Sequence, residues 1–119
     1  MQPINLAAKL AEVSEPYSPR IVAELNGQRV LVVKLLGEFV WHHHEHEDEL
    51  FLVLSGELEL EFRDRSVTLG PGECLVVPRG VEHRPVAKEE VHVVLFEPAS
   101  TLNTGNVVCE RTVATPPRV

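Results

Sequence analysis

The chain has 119 residues, and its 18 acidic against 11 basic side chains give a formal net charge of -7. That length fits one domain, able to bury roughly two thirds of its unfolded surface. The acidic balance argues against nucleic acid and anionic membranes as partners, no apolar run is long enough to span a bilayer, and the N-terminus lacks the pattern of a secretory signal, so the expected location is cytoplasmic.

Residues 1–19 read as an N-terminal segment. Ile4, Leu6, Ala7, Leu10, Ala11 and Val13 recur near helical spacing, which predicts a short amphipathic helix. Glu15-Pro16-Tyr17-Ser18-Pro19 ends it. From Arg20 the pattern is β, and residues 20–110 are expected to form one barrel. Ile21–Leu25 and Arg29–Leu36 flank Asn26-Gly27, a hairpin signal because type I′ turns need positive φ at both central positions. Gly37 is expected to separate that strand from Phe39-Val40-Trp41. Leu50–Leu54 and Glu57–Phe62 flank Ser55-Gly56, which predicts a second hairpin. In Glu57–Phe62 the glutamates alternate with Leu58, Leu60 and Phe62, one set for water and one for the core. Arg63-Asp64-Arg65 reads as a turn before Ser66–Leu69. Gly70-Pro71-Gly72 breaks the chain again, and Cys74–Val77, Val81–Val86 and Val91–Phe96 are expected as three further strands. Many short strands with regular turn signals predict a sandwich or barrel. Cys74 and Cys109 lack a CxxC partner and are expected as reduced thiols, Cys74 as a small core residue. Residues 111–119, with Thr115-Pro116-Pro117-Arg118, are expected to form a flexible tail.

The chemistry is concentrated in Trp41-His42-His43-His44-Glu45-His46-Glu47-Asp48-Glu49. A charge run of this kind is most often a solvated turn. Here His42 and His44 are two apart, so on extended backbone both imidazoles face one way and His43 faces the other. Glu49 opens the next apolar run, where a returning chain would bring its carboxylate towards those rings. Two imidazoles and a carboxylate suit a first-row divalent metal. Further on, Gly72-Glu73-Cys74-Leu75-Val76-Val77-Pro78-Arg79-Gly80-Val81-Glu82-His83 is a short strand, a Pro-x-Gly turn and a lone histidine. A lone histidine is usually structural, but the turn would return the chain to the sheet with His83 at the start of a new strand, where it could supply a fourth ligand.

These two stretches resemble the paired motifs of the cupins. The first motif runs Gly37, four residues, His42-x-His44, four residues, Glu49, six residues, Gly56; the second runs Gly72, five residues, Pro78-x-Gly80, two residues, His83. The first spacer is one residue shorter than the family's pattern, and Ala87 stands where the second motif closes on Asn. Neither departure touches a ligand position. The resemblance, to a small single-domain cupin of the cupin 2 type, implies an all-β double-stranded β-helix, or jelly-roll barrel. It implies one divalent metal ion (Fe, Mn, Ni, Co, Zn or Cu) on His42, His44, Glu49 and His83. It also implies a homodimer, with Ala99–Val108 as the segment packed or swapped between copies.

Three function classes follow. One is a metalloenzyme acting on a small molecule, of dioxygenase or sugar isomerase/epimerase type. The second is a metal-dependent module that binds a small ligand without chemistry. The third is a scaffold in which the metal only stabilises the barrel. His46, beside the motif, is a candidate general base or a support behind the ligands. His92 is expected to pack in its strand, and Lys34 to point outward from its own.

Overall fold

The structure, a computed structural model, describes residues 1–119. In chain order the elements are α1 (Leu6–Ala11), β1 (Arg20–Leu25), β2 (Gln28–Glu38), β3 (Glu49–Ser55), β4 (Leu58–Phe62), β5 (Ser66–Leu69), β6 (Cys74–Val77) and β7 (His83–Pro98). The fold is an all-β jelly roll of the double-stranded β-helix type, with one short helix. No helix is long and apolar enough to cross a membrane.

β7 is the spine of the barrel. Along one side it pairs with β2, from Gln28↔Pro98 to Glu38↔Val86. Along the other side it pairs first with β4, from Phe62↔His83 to Glu59↔Val86, and then with β3, from Ser55↔His92 to Leu50↔Phe96. β3 and β4 are therefore successive parts of one antiparallel run. This corrects the hairpin expected at Ser55-Gly56, since β3 pairs with β6 and β7 and not with β4. Gly56 is a bend within that run. Its φ is +86°, and a Cβ there would lie 2.9 Å from the Glu90 carbonyl oxygen, so only glycine lets the chain pass that close to β7. Isolated turn residues look the same in sequence whether the chain reverses or only changes layer.

Two further expectations are corrected. The strands expected at Val81–Val86 and Val91–Phe96 are one 16-residue strand, His83–Pro98, with Val81 and Glu82 lying before it. Its exposed stretch Lys88–Glu90 bends without ending it, because β2 continues to pair on both sides of the bend. Gly37 likewise does not end its strand: β2 runs through it, with the register shifting between Leu35 and Gly37. The Asn26-Gly27 hairpin forms as expected, with φ of +51° and +75° at its two centres.

The interior is a cluster of 16 buried residues, including Leu31, Val33, Leu35, Phe51, Val53, Leu58, Leu60, Val91, Val93 and Leu95. A smaller cluster of Leu10, Val22, Val32 and Val94 lies on the outer sheet face, with Leu6, Ala23 and Val119 packed against it. Asn5 caps the helix, accepting a hydrogen bond from the Ala8 amide at 2.9 Å. The tail does not trail away from the barrel. The Ile21 amide donates to the Pro117 carbonyl and the Val119 amide to the Ile21 carbonyl, and Arg118 pairs in parallel with Ile21. Cys74 is exposed rather than in the core, because Val77 faces inward on β6 and strand alternation turns Cys74 and Val76 out.

Candidate metal centre

The histidine motif is not a regular strand. Residues 39–48 are irregular apart from one bridge, in which His42 and His83 pair antiparallel. The alternation still holds. His42 and His44 are 2% and 4% exposed, while His43 turns outward and meets Glu45 Oε1 at 2.8 Å. Glu49 is the first residue of β3 and His83 the first of β7, so two strand ends and the bridge bring all four side chains to one end of the barrel.

The ligating nitrogens of His42, His44 and His83 lie within 4.8 Å of one another. The Glu49 Oε1 atom is 3.4 Å from His44 Nε2 and 3.6 Å from His83 Nε2. Donors bound to one ion at about 2.1 Å stand about 3–4 Å apart. The Nδ1–H groups of His42 and His83 donate to the carbonyls of Val40 and Val81, at 2.8 and 2.9 Å, which leaves each Nε2 with a free lone pair. His44 Nε2, His83 Nε2 and Glu49 Oε1 are buried with no hydrogen-bond partner. Buried polar atoms without partners are costly, and a divalent cation would satisfy these three together. The cluster could therefore hold a metal.

The electrostatics agree. Burial, helped by the neighbouring His83, lowers His42 to about 4, so it is neutral at pH 7. Burial raises Glu49, but His44 and His83 outweigh it and hold the carboxyl down to about 2. Beside the cluster lies a cavity of about 40 Å³ lined by Val33, Leu35, Phe39, Phe51 and Leu95, with Tyr17, Asn103, His42 and Glu49 at its polar points. Tyr17 stacks on Phe39 and donates its hydroxyl to the Gly37 carbonyl at 2.6 Å. Burial pushes that phenol up to about 12, so it stays a donor.

His46 is exposed and does not line the cavity. Lys34 shares the outer side of β2 with Val30 and Val32, opposite the cavity residues Val33 and Leu35. His92 sits in β7 beside Glu90, 3.0 Å from its carboxylate. Ala99–Val108 is not a strand. It folds over its own barrel: the Asn106 amide donates to the His43 carbonyl at 3.0 Å, and the Asn106 side-chain oxygen accepts from the His43 amide at 2.9 Å. Gly105, at φ +55°, sits so close that a Cβ would lie 2.1 Å from the His43 oxygen and 3.2 Å from His42 Cδ2. This strap had no strand pattern to mark it. Buried Arg29, Glu97 and Thr101 were also missed. A signal for two of them existed, because Arg29-x-Leu31-x-Val33 and Val93-x-Leu95-x-Glu97 put both on inward-facing parities.

The family model Cupin_2, described as "Cupin domain", matches residues 30–97. The chain belongs to the cupin family. This cupin is 40% identical over 81 residues to the uncharacterized protein YdbB of Bacillus subtilis, covering 67% of this chain and 72% of that one. It is 30% identical over 95 residues to the acireductone dioxygenase of Bacillus licheniformis, covering 74% of this chain and 53% of that enzyme. A solved cupin-2 domain containing protein from Shewanella frigidimarina superposes with a TM-score of 0.79 at 46% identity, covering 80% of this chain and 93% of that one.

Proposed function

We propose that this cupin is a metalloenzyme in which His42, His44, Glu49 and His83 hold one divalent ion, and that its chemistry on a small molecule is of dioxygenase type. One observation carries the reading: three inward donor atoms without partners meet beside an apolar cavity. A divalent ion held by these four side chains would supply a Lewis acid for polarising a substrate oxygen or engaging O₂. The protein supplies three imidazoles, an ionised carboxylate and an apolar wall that keeps bulk water away.

The lining favours oxygenase over sugar chemistry. A sugar needs several converging hydrogen-bond partners; the cavity offers mainly Val33, Leu35, Phe39, Phe51 and Leu95, and the Tyr17 hydroxyl is already bound to Gly37. The likeness to acireductone dioxygenase supports the same class. At about 40 Å³ the cavity is far below the roughly 300–1,000 Å³ of drug-sized ligand pockets. An organic substrate therefore needs a wider mouth than this, and the Ala99–Val108 strap is a segment packed against His42 and His43 there. The narrow cavity is also what a binding module for a very small ligand, or a metal-stabilised scaffold, would show.

The test is O₂ uptake by tag-free protein reconstituted with Fe(II), Mn(II), Co(II) or Ni(II), against small diketones, phenols and thiols. Uptake that needs both metal and substrate is expected. Saturable ligand binding without uptake would instead favour the binding module. Turnover undiminished in demetallated protein would refute the proposal.

For assembly we propose a homodimer. The outer face of β6, β3 and β7 carries Val76 at 50% exposure beside half-buried Leu50, Leu52 and Phe96, and an apolar sheet face next to the edge strand β6 is suited to a second copy.

A further inference from the structure

Inside the barrel mouth a row of buried ionisable groups leads away from Glu49, and its other two members are not used by the metal cluster. Arg29 on β2 is paired directly with Glu97 on β7. On the other side of β7, Leu50 pairs with Phe96, which sets Glu49 next to Glu97 one step further along. Residues directly opposite in antiparallel strands share a face, with Cβ atoms about 4.5–5.5 Å apart. The row thus reads Arg29, Glu97, Glu49 across three strands. All three are buried, at 8%, 3% and 3% exposure.

Such a row is costly unless its members satisfy one another. Arg29 is the one positive charge in it, and its Nη2 also donates to the Thr101 carbonyl at 2.5 Å. Arg29 Nε, Glu97 Oε2 and Thr101 Oγ1 are buried without hydrogen-bond partners. Glu49 has no other charged neighbour on its own strand, and its second cross-strand partner is the apolar Val77. Apart from the imidazoles, Glu97 is the polar group placed to fix which way the Glu49 carboxylate faces.

We propose that Glu97, opposite Arg29 in the β2–β7 pair, is a positioning residue that holds the Glu49 carboxylate in its orientation towards His44 and His83. The proposal rests on the ligand role given to Glu49 above. It also places the Ala99–Val108 strap next to this row, because the Arg29 guanidinium opposite Glu97 is bonded to the strap at Thr101.

Two conservative variants separate contact from charge. Glu97→Gln keeps the reach of the side chain and removes the carboxylate. Glu97→Asp keeps the carboxylate and withdraws it by one methylene. The probe is Co(II), titrated into tag-free, metal-free protein and followed by its visible absorption. A second readout is the NMR resonances of the His44 and His83 ring nitrogens in metal-free protein, which report the carboxylate beside them. Glu97→Asp is expected to weaken Co(II) binding about 10–100-fold, as for other groups that orient a ligand. It should also shift the Co(II) bands and the ring resonances. Glu97→Gln is expected to stay near wild type in all three. An Asp variant indistinguishable from wild type overturns the inference. So does equal loss in both variants, or loss confined to Glu97→Gln. A wild type that takes up no Co(II) sinks the ligand assignment instead, and the ring resonances alone then decide the inference.

Discussion

His42 and His83, 41 positions apart in the chain, face each other across a single antiparallel bridge. The His42 amide donates to the His83 carbonyl at 3.1 Å, the His83 amide donates back at 2.9 Å, and the rings are 4.3 Å apart. That bridge closes one end of the barrel and joins the two cupin motifs in one site. Each ring then anchors its outer nitrogen on a carbonyl two residues upstream, Val40 or Val81. The inner nitrogens are aimed by local backbone before any ion arrives, an arrangement that lowers the ordering cost of binding.

His44→Ala is expected to lose far more metal than His43→Ala. His44 is 4% exposed with Nε2 beside Glu49, whereas His43 is turned out to Glu45. Elemental analysis of tag-free protein after dialysis checks it. Equal losses from the two variants would show that the ring assignment is wrong.

The stability of the metal-free protein should peak between about pH 4.5 and 6.5. Folded His42 gains its proton near pH 4 and the unfolded chain near 6.5, so the unfolded state binds more protons in between and stability there rises with pH. Glu49 acts in the same sense between about 2 and 4.5. Glu97 opposes them. Burial, then the Glu49 charge, raises its carboxyl to about 9, so folded protein holds a proton that the unfolded chain releases above about 4.5. Stability therefore falls as pH rises towards 9, by at most about 1.4 kcal/mol per pH unit. His42 and Glu97 offset each other from 4.5 to 6.5. Urea midpoints measured from about pH 4.5 to 9 should be flat to about 6.5 and decline above it, and Glu97→Gln should flatten the decline. A decline just as steep in that variant would count against Glu97 as its source.

Gly105→Ala should destabilise the strap by about 1–3 kcal/mol, from a left-handed backbone and a methyl driven into the His43 carbonyl. Gly27→Ala serves as the control: its φ is +75° but nothing lies within 4 Å, so it should lose only the cost of that backbone, about 1 kcal/mol. Thermal melts of both give the comparison, and limited proteolysis should show cleavage near residue 105 in the first variant only. Equal melting temperatures would mean that the strap yields without cost.

Val76→Lys should shift the protein towards a monomer. The side chain is 50% exposed on the apolar outer face, where a buried lysine would oppose pairing. Sedimentation equilibrium should give about twice 13.3 kDa for the wild type and a lower mass for the variant. A wild type at 13.3 kDa at high micromolar concentration removes the dimer.

Local periodicity alone separated His42 and His44 from His43, drew the Asn26-Gly27 hairpin and sorted the faces of β4, because these depend on neighbours one or two residues away. The motif spacings pointed to Glu49 and His83 as companions of the histidines. Periodicity could not distinguish a reversal at Ser55-Gly56 from a bend. The difference lies in β7, whose carbonyl at Glu90 crowds Gly56 from a distant part of the chain. Nor could it join Arg29 to Glu97, whose pairing follows from the register of β2 on β7. The strap over His42 was equally hidden, since Gly105 carries no side chain and is defined only by what it touches. The sequence therefore determined which side chains share a face of their own segment. The tertiary structure decided which segments meet, because long-range register and close backbone approach are properties of pairs of strands.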